Sequence, residues 1–133
     1  MDDVTREHVR QRAGYRCEYC RLRQEHYSLW RHQIEHIIPR KHHGDDDVGN
    51  LALACIRCNL GKSSNLSGID SDTGEIVALF HPRNQQWDDH FAYDGHVIVG
   101  RTPTGRVTAD VLNMNEPERL RLRRHLLENG ELT

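Results

Sequence analysis

Two short cysteine pairs, Cys17-Glu18-Tyr19-Cys20 and Cys55-Ile56-Arg57-Cys58, constrain this chain more than anything else in it. Two residues between cysteines let both thiolates face one ion from a tight turn, and two such turns complete a tetrahedral four-cysteine zinc site. All four cysteines of the chain are used in this way. An iron–sulfur cluster is the alternative metal reading, and a set of unrelated buried thiols or a redox pair is the alternative without a metal. A closed four-cysteine site has no open position for substrate, so its role is structural. It ties the first 20 residues to the stretch from Leu51 to Leu60. It does not account for the histidine, glutamate and asparagines that lie between the pairs.

Composition narrows the setting. In 133 residues, 36% hydrophobic and 29% charged, there is room for one lean globular core. No apolar run approaches the roughly 20 residues that a membrane span needs. The acidic, amphipathic start MDDVTREHVR does not resemble a signal peptide, so the expected location is cytoplasmic and no membrane partner is expected. The net charge of −2 argues against a bulk electrostatic nucleic-acid binder. The charge is uneven, however. Residues 1–66 hold 11 Lys and Arg against 9 Asp and Glu, whereas residues 67–133 hold 7 against 11. Any basic face belongs to the first half.

Along the chain, residues 3–13 read as a helix with Asp2 and Asp3 at its start and Gly14 as its stop. Loose alternation of Trp30, His32, Ile34 and His36 suggests a strand over 28–36, ended by Pro39. Residues 40–49, with two glycines and three consecutive aspartates, read as a loop, and His42, His43 and Asp45 to Asp47 are expected to be solvated there. Leu51 to Ala54 is short and apolar, and a helix or turn follows the second cysteine pair. Further on, residues 75–80 suggest a strand, and Asp94-Gly95 marks a hairpin between residues 91–93 and 96–100. Residues 106–114 suggest a helix. A final helix starts near Pro117 and ends before Gly130. His81, His90 and His96 lack the spacing of metal ligands and are expected to be surface or packing residues.

Four residues between and beside the cysteines carry chemistry of another kind. His36 is a residue type suited to a general base near neutral pH. Glu35 supplies a carboxylate, and Asn50 and Asn59 supply amide oxygens, the donors that a hard divalent ion prefers. Adjacent strand residues point to opposite faces, so Glu35 and His36 could share a site only where the strand bends or ends. Asn59 directly follows Cys58, which would fix it in space.

In order, these elements are C17-EY-C20, E35-H36-I37-I38-P39, a Gly- and Asp-rich loop, then N50-L51-A52-L53-A54-C55-IR-C58-N59-LG-K62. This pattern, covering about a third of the chain, resembles the HNH endonuclease family. The resemblance implies an α+β fold: a small ββα-metal (His-Me finger) nuclease core over residues 1–66, stapled by the zinc knuckles. Residues 67–133 would be a C-terminal extension of short strands and a final helix, packed on the core as one compact unit. It further implies metal-dependent hydrolysis of DNA, with double-stranded DNA as the expected partner. His36 would activate water. Glu35 and Asn59 would hold Mg2+ or Mn2+ on the scissile phosphate, and Asn50 would lock the loop that orients His36. Lys62, Arg40 and Arg57 would contact phosphate oxygens. The resemblance leaves open a homodimer that would cut both strands. Glu35 stands where the family commonly has Asp, and Asn59 where it often has His, so metal preference is left open. The competing reading is a zinc-ribbon module that binds nucleic acid or protein without catalysis. Such a module would need the cysteines but not Glu35, His36, Asn50 and Asn59.

Overall fold

A computed structural model describes all 133 residues. Helix α1 (Asp3–Arg12) begins where the Asp2 side chain accepts the Thr5 backbone N–H at 2.8 Å, and it ends at Gly14, whose φ of 63° suits a residue without a Cβ. Only Val9 of this helix is fully buried. It packs against Leu51 and Leu53, with Ile34 and Ala13 at the edge.

Strands β1 (Gln33–His36) and β2 (Leu51–Ala54) pair antiparallel, with Gln33 opposite Ala54 and His36 opposite Leu51. All four residues of β2 are buried, and the period of two sorts them. Leu51 and Leu53 face α1, while Ala52 and Ala54 join the main core. Helix α2 (Ile56–Lys62) follows at once, its first turn capped by Cys55 Sγ, which accepts the Cys58 N–H at 3.4 Å.

The expected strand over 28–36 is present only as Gln33–His36. The Gln24 side chain overrides the alternation of the preceding residues. Its amide donates to the Tyr27 and Trp30 carbonyls at 3.0 and 3.2 Å, and its oxygen accepts the His32 N–H. These bonds fold the segment back into a loop that leaves Leu29 and Trp30 exposed.

The second half consists of two hairpins and three helices. Strands β3 (Ser67–Ile69) and β4 (Ile76–Ala78) pair with each other, as do β5 (Phe91–Asp94) and β6 (Val97–Gly100) across a tight turn at Gly95. Helix α3 (Trp87–His90) is a single turn. Helices α4 (Pro103–Val111) and α5 (Pro117–Glu128) each open on a proline in the first turn, and Thr102 caps α4. The apolar cluster at the centre draws on both halves of the chain. Cys17, Cys20, Cys55 and Cys58 pack with Tyr19, Ala52, Phe80, Trp87, Phe91, Ile98, Leu112 and Met114. Trp87 stacks on Phe91 with ring centroids 5.1 Å apart, and its indole N–H donates to the Tyr19 carbonyl at 2.7 Å. Burial of such rings and their pairing geometry favour this seam between the halves.

Candidate metal centre and the His36 site

The four cysteines converge although 34 residues lie between Cys20 and Cys55. Their Sγ atoms all lie within 4.8 Å of one another, every one of them buried. Cys20 Sγ and Cys55 Sγ are 3.7 Å apart. Metal–sulfur bonds of about 2.3 Å in a tetrahedron set S···S edges of about 3.8 Å, so the cluster has the size and donor chemistry for one ion. Each pair forms a knuckle in which the second cysteine's N–H points at the first sulfur, at 3.5 Å for Cys17 and 3.4 Å for Cys55. Among His, Cys, Asp and Glu, this is the single group of three or more that could hold a metal ion.

Arg119 of α5 completes the surroundings. Its guanidinium donates to Cys58 Sγ at 2.8 Å and to the Leu112 carbonyl at 2.7 Å. Burial on its own would lower the pKa of this arginine, but the negative charge of Cys58, Cys20 and Cys55 overrides that and raises it. The short motifs gave no sign of this residue, because it lies 61 positions beyond Cys58.

His36 closes β1, and its Nε2 lies 2.7 Å from Asp46 Oδ1. The same oxygen accepts a bond from Arg40 at 2.8 Å. The His36 bond, followed by the Arg40 charge, holds the Asp46 carboxyl below the usual carboxylate range. The expectation that Asp45 to Asp47 are all merely solvated therefore needs correcting for Asp46. Its role was hidden because a contact across ten residues depends on how the loop closes.

Asn50 closes that loop. Its side-chain oxygen accepts the Ile38 N–H at 2.8 Å, and its amide donates to the Ile38 and Asp45 carbonyls at 3.0 and 2.9 Å. Its backbone carbonyl takes the Ile37 N–H at 2.8 Å. Gly44 lets the two sides meet, since a Cβ there would stand 1.6 Å from the Ile38 carbonyl oxygen. One asparagine thus bridges both ends of the segment that carries Arg40 and Asp46.

Glu35 points the other way, into the seam between β1 and α2. Its carboxylate accepts from the Tyr19 hydroxyl and pairs with Lys62 Nζ at 3.1 Å, with side chains only 4% and 2% exposed. Burial raises the Glu35 pKa, and Lys62 and then the Tyr19 bond oppose that rise. Lys62 also donates to the His36 and Ile37 carbonyls at 3.1 and 3.0 Å. It is enclosed rather than displayed at the surface. Asn59 lies one turn before Lys62 in the same seam, and its amide donates to Gln33 Oε1 at 2.5 Å. Glu35 and Asn59 therefore share the seam, each with its own hydrogen-bond partner, while His36 stands on the opposite face of β1. Arg57 lies on the surface, paired with Glu116 at 3.1 Å and Glu118 at 2.9 Å. Arg40 is largely exposed.

A hairpin and helix framed by two cysteine knuckles, with a loop-locked histidine at the end of the first strand, define a class of domain. Residues 17–65 match the family model described as HNH endonuclease. Among curated proteins, it is similar to a Septu protein PtuB of Bacillus thuringiensis, with 28% identity over 110 residues that cover 81% of this chain and 40% of that protein. It is also similar to a Septu protein PtuA of Bacillus mycoides (strain KBAB4), with 30% identity over 82 residues that cover 53% of this chain and 11% of that protein. The chain spans less than half the length of either relative. No solved structure matches. No helix is long and apolar enough to cross a membrane.

Proposed function

We propose that this chain is a metal-dependent nuclease that hydrolyses phosphodiester bonds in DNA, as a protein of the PtuB kind. The observation that carries the reading is the His36–Asp46 pair, held at 2.7 Å by a loop that Asn50 locks. A carboxylate that accepts the Nε2 proton fixes the imidazole tautomer and leaves Nδ1 as the unprotonated nitrogen. Nδ1 is then the atom that takes a proton from the attacking water. In this reading Asp46 is a positioning residue and His36 is the base. Asn50 holds the geometry between them.

The four-cysteine site is assigned to structural zinc. A second, catalytic divalent ion, Mg2+ or Mn2+, is assigned to Glu35 and Asn59, whose carboxylate and amide oxygens are the donors a hard ion prefers. To hold it beside His36, Glu35 would have to leave its buried partners Tyr19 and Lys62 and turn toward the end of β1. Lys62 already pairs with Glu35, so an ion taking this carboxylate must displace the Lys62 ammonium from it. When bound, such an ion supplies charge neutralisation at the scissile phosphate. Arg40 is assigned to phosphate contact, whereas Arg57 is already paired with Glu116 and Glu118 and the burial of Lys62 suits it to holding Glu35 and the β1 backbone in place. The buried Glu35–Lys62 pair also favours a second reading, an HNH scaffold kept without catalysis.

Plasmid cleavage separates the two. With Mg2+ or Mn2+, the wild-type protein should nick or cut the plasmid, and His36→Ala should abolish this while metal analysis still finds one zinc per chain. If His36→Ala cuts as fast as the wild type, the assignment of the base is wrong. If neither protein cuts any DNA, the scaffold reading stands in its place.

A further inference from the structure

The nuclease reading leaves the path of the substrate open. A groove of about 520 Å3 runs beside β1 and α1, and its charged lining is arginine alone: Arg6 and Arg10 of α1, Arg31 just before β1, and Arg40. No Asp or Glu lines it. Arg6 reaches Asp3 at 3.3 Å and Arg40 reaches Asp46 at 2.8 Å, but Arg10 and Arg31 have no carboxylate within ion-pair distance. Glu7, one turn back on α1, instead accepts the Tyr15 hydroxyl at 3.0 Å. Arg10 Nε is buried without a hydrogen-bond partner. Burial first, and the Arg31 charge second, hold the Arg10 pKa below its usual value.

Two like-charged guanidiniums in one groove, neither ion-paired to a carboxylate, raise the energy of the free protein. Their forked donors match phosphate oxygens, and a bound phosphate would relieve the repulsion. The groove also leads toward the site. Arg40, on its wall, shares a single Asp46 oxygen with His36 Nε2. The arginine-rich apolar cleft, which also meets Trp30, differs, because there Arg57 pairs with Glu118 and Arg119 is turned to the cysteines.

We propose that this groove holds the sugar–phosphate backbone of the DNA substrate, with Arg10 and Arg31 clasping phosphates on the approach to His36. The choice of DNA rests on the nuclease reading, but the groove is tested by binding alone. Fluorescein-labelled DNA, duplex and single-stranded, is titrated with the full chain without added Mg2+ or Mn2+ over a range of salt concentrations. Each phosphate contact contributes about 0.9 to the slope of log affinity against log salt for duplex, and about 0.7 for single strands. Arg10→Gln with Arg31→Gln should lower the slope by about 2, and Arg31→Gln alone by about 1. The remote α5 variant Arg124→Gln should keep the wild-type slope. The exposed Arg31 carries the test on its own if the double variant melts early. An unchanged slope in Arg31→Gln, an equal loss in Arg124→Gln, or no DNA binding by the wild type overturns the groove. If binding depends on the groove but the protein never cuts, the nuclease reading falls and the groove stands. If the protein cuts and Arg31→Gln leaves KM unchanged, the groove falls and the nuclease reading stands.

Discussion

At the scale of single residues, the site turns on a short chain of contacts from Arg40 through Asp46 to His36. Asp46 is the link that can be changed with least disturbance, since its side chain is 45% exposed and takes no part in the core. Asp46→Asn keeps the size but loses the charge that favours an Nε2–H donor. Cleavage should then slow by about 10- to 100-fold, the size of effect seen when the carboxylate partner of a functional imidazole is removed. The loss should fall in kcat, with KM close to wild type. An Asp46→Asn enzyme with full kcat would show that His36 needs no such partner. Lys62 teaches a related lesson. A lysine three residues after Asn59 looks like a phosphate ligand on paper, but helix geometry turns that face onto β1, where its charge answers Glu35.

At the scale of elements, much was legible and the remainder had identifiable reasons. The cysteine knuckles could be read because each is a local spacing, whereas the Asn50 lock came only through the family resemblance, since its bonds to Ile38 and Asp45 depend on how the loop closes. The α1 and α5 helices announce themselves through Asp2 and Pro117. The truncation of the expected 28–36 strand could not be read, because a single glutamine side chain, Gln24, competes for that backbone. Strand β2 shows no alternation of polarity because both of its faces are buried. The β3–β4 hairpin is held to α4 by a pair absent from any motif: Asp70, fully buried, takes Arg106 in two bonds of 3.1 and 2.9 Å. The Arg106 bond, the largest influence, lowers the Asp70 pKa. A carboxyl whose folded pKa is depressed adds stability above its unfolded pKa of about 3.9, and that stability is lost as pH falls through the folded value. Asp70→Asn should therefore melt below wild type at neutral pH, and the gap should close below about pH 4. A gap that does not change with pH would mean that the pair contributes through packing rather than charge.

At the scale of the whole molecule, the cysteine cluster lies in the core that both halves share, so metal and fold should stand or fall together. Structural zinc contributes roughly 10 kcal/mol or more in small domains, comparable with the entire stability of a domain, about 5–15 kcal/mol. Cys55→Ala should lose its zinc and its cooperative melting transition. An unchanged Tm in this variant would mean that the thiols are ordinary core residues. Arg119 extends the dependence to the far end of the chain. Its cation is buried against sulfur, and its neighbour Arg123 is buried one turn later. Once the sulfurs are protonated and the ion has left, Arg119 becomes an uncompensated charge in an apolar interior, which favours its return to water. If the centre holds an ion, the last helix should then undock when the metal is removed, although none of its residues belongs to the cysteine cluster. Occupancy of such a centre would in this way be reported at the C-terminus.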